Sequence, residues 1–76
     1  MLLQTPDDVA RELRRNPGRE YDLRRPGSNS PVRLYASASG LITVWMPGQS
    51  RPMHGIVKLT TFDLGQGPYN LTPIQK

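Results

Sequence analysis

Apolar residues recur with helical spacing near the start of the chain. They lie at positions i, i+3, i+4 and i+7, which gives one narrow stripe along a helix. The residues of this stripe are Pro6, Val9, Ala10 and Leu13. The spacing predicts a helix over residues 6–15.

Residues at both ends of this segment are typical of helix termini. Thr5 can accept a hydrogen bond as the N-cap, and Asp8 completes a Thr-x-x-acid capping box. Arg14 and Arg15 lie where a helix dipole favours positive charge. The Asn-Pro-Gly sequence at residues 16–18 ends the helix, because the residue before a proline avoids the α region.

After this turn the apolar period changes from 3.6 to 2, which indicates β-strands. Residues 19–25 form the first predicted strand, with Tyr21 and Leu23 on its inward face. Glu20, Asp22 and Arg24 lie on its outward face. The second predicted strand places Val32, Leu34 and Ala36 inward and Arg33, Tyr35 and Ser37 outward.

Two further strands are predicted beyond the second. Residues 41–46 are apolar except for Thr43, which favours a central strand with contacts on both faces. Residues 53–61 form the last predicted strand, with Val57 and Leu59 as its inward pair.

These elements predict an α+β fold, in which the N-terminal helix packs on an antiparallel β-meander of about four strands. Consecutive strands with short connections usually pair as neighbours. The edges of the sheet would then be residues 19–25 and 53–61. We expect a single domain over residues 1–64. Residues 65–76 contain two glycines and two prolines without a period, which predicts an irregular or flexible C-terminal tail.

Composition narrows the class of protein. A chain of 76 residues makes one small domain, and the absence of cysteine excludes disulfides and thiolate metal sites. Ten Lys and Arg residues against six Asp and Glu give a net charge of +4. Eight of the ten bases are arginine, whose planar fork suits bidentate contact with carboxylates or phosphates. A GC-rich coding sequence is the alternative reason for this preference.

No targeting or membrane signal is visible. Residues 1–4 lack a basic segment, and their apolar run is too short for a signal peptide. No stretch approaches the roughly 20 apolar residues that span a bilayer. We therefore expect a cytoplasmic protein without a membrane partner.

The sequence contains no grouping that favours catalysis. His54 is the single histidine, and a zinc site needs three or four ligands. Asp63 could in principle pair with it, yet no serine lies in a G-x-S-x-G elbow. Gly65 and Gly67 lack the third glycine of a dinucleotide motif. We expect no enzyme activity, no catalytic residues, no metal and no cofactor.

Arginine and aromatic residues supply the candidate binding site. Exposed Arg, Tyr and Trp on a sheet are enriched at protein interfaces. We expect the partner to contact Arg33, Tyr35, Trp45 and Arg51 on the sheet side, with Arg14 and Arg15 as steering charges at the helix end. A core position is the alternative for Trp45, since the single Trp of a small domain is usually buried.

Three functions fit these features. The leading hypothesis is a protein-binding module that acts one-to-one on a larger protein. The first alternative is a nucleic-acid-binding domain, in which aromatic residues stack on bases and arginines neutralise phosphates. The second alternative is a homo-oligomer, a structural or assembly subunit that self-associates through its sheet.

The first quarter of the chain also resembles small accessory proteins of bacteriophages and prophages. The resemblance lies in the capped helix start at residues 5–9 and in the helix end, Asn-Pro-Gly turn and strand start at residues 13–21. It implies a stoichiometric regulator or inhibitor of a host macromolecule, such as RNA polymerase or a nuclease. It carries over no functional residues.

Overall fold

The computed structural model describes residues 1–74; the last two residues of the predicted tail, 75 and 76, lie outside them. Within the described residues the chain forms six strands and two helices. In chain order these are β1 (Leu2–Leu3), α1 (Pro6–Arg15), β2 (Tyr21–Arg24), β3 (Val32–Ala36), β4 (Ile42–Trp45), β5 (Met53–Ile56), α2 (Thr61–Leu64) and β6 (Tyr69–Pro73).

Helix α1 has the predicted bounds. The Thr5 hydroxyl accepts a hydrogen bond of 3.2 Å from the backbone N–H of Asp8, which is the N-cap contact expected from the sequence. At the other end, the backbone N–H of Asn16 donates to the carbonyl of Leu13. Val9, Ala10 and Leu13 are buried, so the apolar stripe is the face that packs on the sheet.

The sheet is antiparallel, as predicted, but it has six strands rather than about four. Their order is β1-β6-β2-β3-β4-β5. The two additional strands come from the ends of the chain: Leu2 and Leu3 pair with Asn70 and Tyr69. The α+β class is confirmed, and the strand count is corrected.

The prediction of an irregular C-terminal tail is wrong for residues 69–73. Tyr69 and Leu71 alternate inward and are 0% and 1% exposed. Strand β6 pairs with β2, where Leu23 lies opposite Leu71. Surrounding glycines and prolines hide this short period-two pattern in the sequence. As a consequence β2 is an internal strand, not the predicted edge.

The last predicted strand is shorter than expected. Strand β5 ends at Ile56, and its pairing with β4 is irregular between the partners of Ile42 and Val44. Val57 is 69% exposed, so its predicted inward position is wrong, whereas Leu59 is buried as predicted. Four residues separate the end of β5 from helix α2, which begins at Thr61. Its start is capped, since the Asp63 carboxylate accepts a 3.1 Å hydrogen bond from the N–H of the N-cap residue, Thr60.

The core lies between α1 and one face of the sheet. It is a single cluster of fourteen residues: Val9, Ala10, Leu13, Tyr21, Leu23, Val32, Leu34, Ala36, Ile42, Val44, Leu59, Leu64, Tyr69 and Leu71. We call the opposite side of the sheet the open face, which carries Glu20, Asp22, Arg33, Tyr35, Thr43 and Trp45. No helix among the described residues has the length and apolar character that crossing a bilayer requires.

Candidate binding face

A cross-strand row of three residues runs over the open face. Asp22 on β2 pairs with Arg33 on β3, and Arg33 in turn pairs with Trp45 on β4. The Arg33 Nε lies 3.7 Å from the Asp22 Oδ1. Direct cross-strand neighbours place their side chains within reach of one another, and Arg33 lies between Asp22 and Trp45 in this row.

A second cross-strand row lies two residues further along β3, on the same face. Tyr35 pairs with Thr43 across β3 and β4. The Thr43 hydroxyl shares a hydrogen bond of 3.1 Å with Nδ1 of His54. Thr43 is only 8% exposed, so this bond satisfies a buried polar group that would otherwise be costly. His54, the single histidine, thus supports the floor of the open face.

Trp45 lies on the open face with 45% of its surface exposed. Its indole Nε1 donates a 2.9 Å hydrogen bond to the carbonyl of Gln49. This bond holds the ring against the loop formed by residues 46–52 and leaves part of the ring accessible to solvent. The alternative of a core position for Trp45 is therefore wrong.

Two depressions flank the Arg33–Trp45 pair, with volumes of about 250 and 170 Å³. Arg33 and Trp45 line both of them. The larger one is completed by Asp22, Pro31, Met46, Pro47 and Gly48, and the smaller one by Glu20, Tyr35, Thr43 and Pro52. We call the two together the groove. It follows β3 from Pro31 to Tyr35, a length of about 13 Å at the usual rise per strand residue.

The charges of the groove differ from those of the whole protein. Its charged residues are Glu20, Asp22 and Arg33. Asp22 and Arg33 form an ion pair, whereas Glu20 has no ion-pair partner within residues 1–74. The groove therefore carries a formal charge of −1 on a chain whose net charge is +4.

Arg14 and Arg15 belong to helix α1, which covers the side of the sheet opposite to Arg33. We call this side of the molecule the helix layer. The Arg14 Nε donates a 2.9 Å hydrogen bond to the carbonyl of Gly40, and its Nη2 donates to the carbonyl of Val57. Arg15 lies 3.6 Å from the carboxylate of Glu12. The structure does not bring these two arginines together with the open face.

Arg51 is exposed in the loop formed by residues 46–52. It does not line the groove, although its neighbour Pro52 does. Of the six residues expected at the site, three are brought together: Arg33, Tyr35 and Trp45.

Sequence reasoning did not assign several residues of the groove to the site. The period of two places Glu20 and Asp22 on the outward face, and this was the signal that could have found them. Pro31, Pro47 and Pro52 come from loops, where no period applies. Their position depends on how the loops fold over the strand ends.

Within the described part of the chain, no group of three or more His, Cys, Asp or Glu residues is arranged to hold a metal ion. The polar side-chain groups of the groove are one guanidinium, two carboxylates, a phenol, a hydroxyl and an indole N–H. Such groups can form hydrogen bonds and ion pairs with a bound segment.

No protein-family model matches the chain, and no curated protein or solved structure matches it either.

Proposed function

We propose that this chain is a non-enzymatic protein-binding module that acts one-to-one on a larger protein through its open face. The observation that carries the proposal is the grouping of Arg33, Tyr35 and Trp45 around one groove. Arg, Tyr and Trp dominate interface hot spots, because they combine large contact areas with polar groups. Trp45 is held in place by its hydrogen bond to Gln49. Its side chain therefore loses little conformational entropy when a partner contacts it.

The charges of the open face favour a protein partner over nucleic acid. Binding to a phosphate backbone needs several cations free to replace counterions. On this face Arg33 is paired with Asp22, and Glu20 would repel a phosphate.

The sheet edges are poor sites for strand addition, which favours binding through the face. Edge β1 has two residues. Edge β5 contains Gly55, whose φ of +72° departs from strand geometry, and its pairing with β4 is irregular. Short and irregular edges are features that discourage pairing with another chain.

The resemblance to bacteriophage accessory proteins extends the proposal to a class of partner. A stoichiometric regulator or inhibitor would cover a functional surface of a host protein, such as a polymerase or a nuclease. An open face with one groove suits this mode of action, since it can cover such a surface without any catalytic group.

Site-specific photo-crosslinking tests the proposal. The photo-reactive amino acid p-benzoylphenylalanine replaces Tyr35 in one variant and Arg15, on the helix layer, in a matched control. In a lysate of the source cells we expect the position-35 variant to form one reproducible protein adduct, and Arg33→Ala in the same chain to abolish it. The control should form none.

Three outcomes would overturn the proposal. These are the absence of a protein adduct at position 35, an equal yield from both positions, and an adduct that nuclease treatment removes. The last would identify nucleic acid as the partner. Sedimentation of the purified chain gives a further test, because a dimer that occludes position 35 would favour self-association.

A further inference from the structure

We propose that the groove binds an extended, proline-rich segment of the partner that carries a basic residue beside Glu20. This inference rests on the proposed function and adds the chemistry of the segment that is bound. It follows from the position of the groove on the sheet, from its lining and from its charges.

The position of the groove disfavours a β-strand as its occupant. The groove lies on the face of the sheet between β2 and β4, where the backbone groups of β3 are already paired on both sides. A strand bound there would bury N–H groups without acceptors, at a considerable cost. Proline has no backbone N–H, so a proline-rich segment avoids most of this cost.

The lining of the groove suits proline rings. The accessible part of Trp45 lies between the two depressions, with Tyr35 and Pro52 on one side and Pro31 and Pro47 on the other. Aromatic-lined grooves bind polyproline II segments, whose preformed shape limits the entropy lost on binding. At about 3.1 Å per residue, four or five residues of such a segment span the groove.

The polar groups of the groove complement the same segment. A polyproline II helix has no internal hydrogen bonds, so its carbonyls are free to accept. Among residues 1–74 the Arg33 guanidinium makes no hydrogen bond and lies 3.7 Å from Asp22, so its N–H groups can donate to those carbonyls. Within residues 1–74 Glu20 has no ion-pair partner. It lies at the Tyr35 end of the groove, which favours a basic side chain there.

Fluorescence titration of the intact chain tests this inference, because Trp45 is the single tryptophan and lines the groove. The probe is a blocked peptide of repeated Pro-Pro-Arg. Two matched peptides replace either every arginine by glutamate or every proline by serine. We expect the Pro-Pro-Arg peptide to produce a saturable change in Trp45 fluorescence. Each matched peptide should bind at least tenfold more weakly.

Variants locate the binding through the anisotropy of a dye-labelled Pro-Pro-Arg peptide. Trp45→Leu should weaken binding about thirtyfold, the size of a hot-spot loss. Glu20→Gln should weaken it about threefold, as expected for a partly exposed ion pair. Phe62→Ser alters a side chain that is 96% exposed and does not line the groove, so it should bind as the unmodified chain does. A cooperative thermal unfolding transition, measured for each variant and for the unmodified chain, shows that each variant is folded.

Equal binding of the three peptides, or binding that Trp45→Leu leaves intact, would overturn the inference. The absence of binding by the Pro-Pro-Arg peptide would overturn it as well. If that absence accompanies a protein adduct at position 35, the inference fails while the proposed function stands. If both experiments fail, the proposed function fails with it.

Discussion

Arg33 and Trp45 are direct cross-strand partners on the open face of the sheet. Both side chains line the groove, because the hairpin between β3 and β4 fixes the register. Its turn is closed by hydrogen bonds from Ser37 N–H to the Leu41 carbonyl and from Gly40 N–H to the Ser37 carbonyl, 2.8 and 2.9 Å long. A slip of one residue in either strand would turn that strand's side chain toward the core. The local hairpin thus determines which side chains lie together on the open face.

Helix α1 depends on its N-cap. Replacing Thr5 by alanine removes the acceptor for the Asp8 N–H, and we expect the free energy of unfolding to fall by about 1 kcal/mol. Urea unfolding followed by circular dichroism measures the change. Ser50→Ala, in an exposed loop, is the control and should have little effect. Equal stability of the two variants would contradict the role of Thr5.

Gly67 lies where the segment before β6 passes the segment before α1. A Cβ atom at this position would lie 2.7 Å from the backbone carbonyl oxygen of Gln4 and 3.1 Å from Tyr69 Cε2. Because the nearest atom is backbone, the clash cannot be relieved by a side-chain rotation. We expect Gly67→Ala to lower the free energy of unfolding by about 1–3 kcal/mol. Gln66→Ala, an exposed neighbour, should be nearly neutral; a similar loss in both would refute the close approach.

Arg14 and Arg15 provide a matched pair on the helix layer. Arg14 joins α1 to the carbonyls of Gly40 and Val57. Arg15 makes one ion pair among the described residues, with Glu12 of its own helix. We expect Arg14→Gln to reduce stability by about 1 kcal/mol and Arg15→Gln by less than about 0.5 kcal/mol. Chemical denaturation of both variants measures the two changes in the free energy of unfolding. Equal effects would mean that the contacts of Arg14 contribute no stability.

Tyr69 makes stability sensitive to alkaline pH. Burial raises the pKa of its phenol above the ordinary value of 10.0, and the charge of Arg25 opposes this shift. Above pH 10 the unfolded chain loses the phenolic proton more readily than the folded chain does. The free energy of unfolding should therefore be intact below pH 10 and decrease as the pH rises toward the folded-state pKa.

The variant Tyr69→Phe isolates this contribution. It removes the titrating group, so its stability should decline less steeply above pH 10 than that of the unmodified chain. At neutral pH it should be about 1 kcal/mol less stable, because the hydrogen bond from the phenol to the Gly65 carbonyl is lost. Parallel pH profiles for the two proteins would contradict the burial effect.

The parts of the fold that the sequence predicts are those with local signals. Helix α1 was predicted with its bounds because capping, charge and apolar spacing agree within ten residues. The alternation in β2 and β3 placed Tyr21, Arg33 and Tyr35 on the observed faces. These signals need no knowledge of distant pairing.

The missed features depend on pairing between distant parts of the chain. Strand β6 has two inward residues, and its place between β1 and β2 brings together the two ends of the sequence. For the site, the alternation indicated that Arg33 and Tyr35 point outward, but not that Asp22 neutralises Arg33. Nor did it indicate that Arg14 would be held by two backbone carbonyls.

The central claim is that the open face, and not the helix layer, contacts the partner. Two-dimensional NMR of the isotope-labelled chain tests it directly. The titrant is the Pro-Pro-Arg peptide or the purified partner that crosslinking identifies. We predict shifts in the backbone signals of Arg33, Tyr35 and Thr43 and in the indole signal of Trp45, with little change at Val9. Shifts confined to the helix layer, around the depression lined by Arg11, Arg14 and Lys58, would contradict the claim.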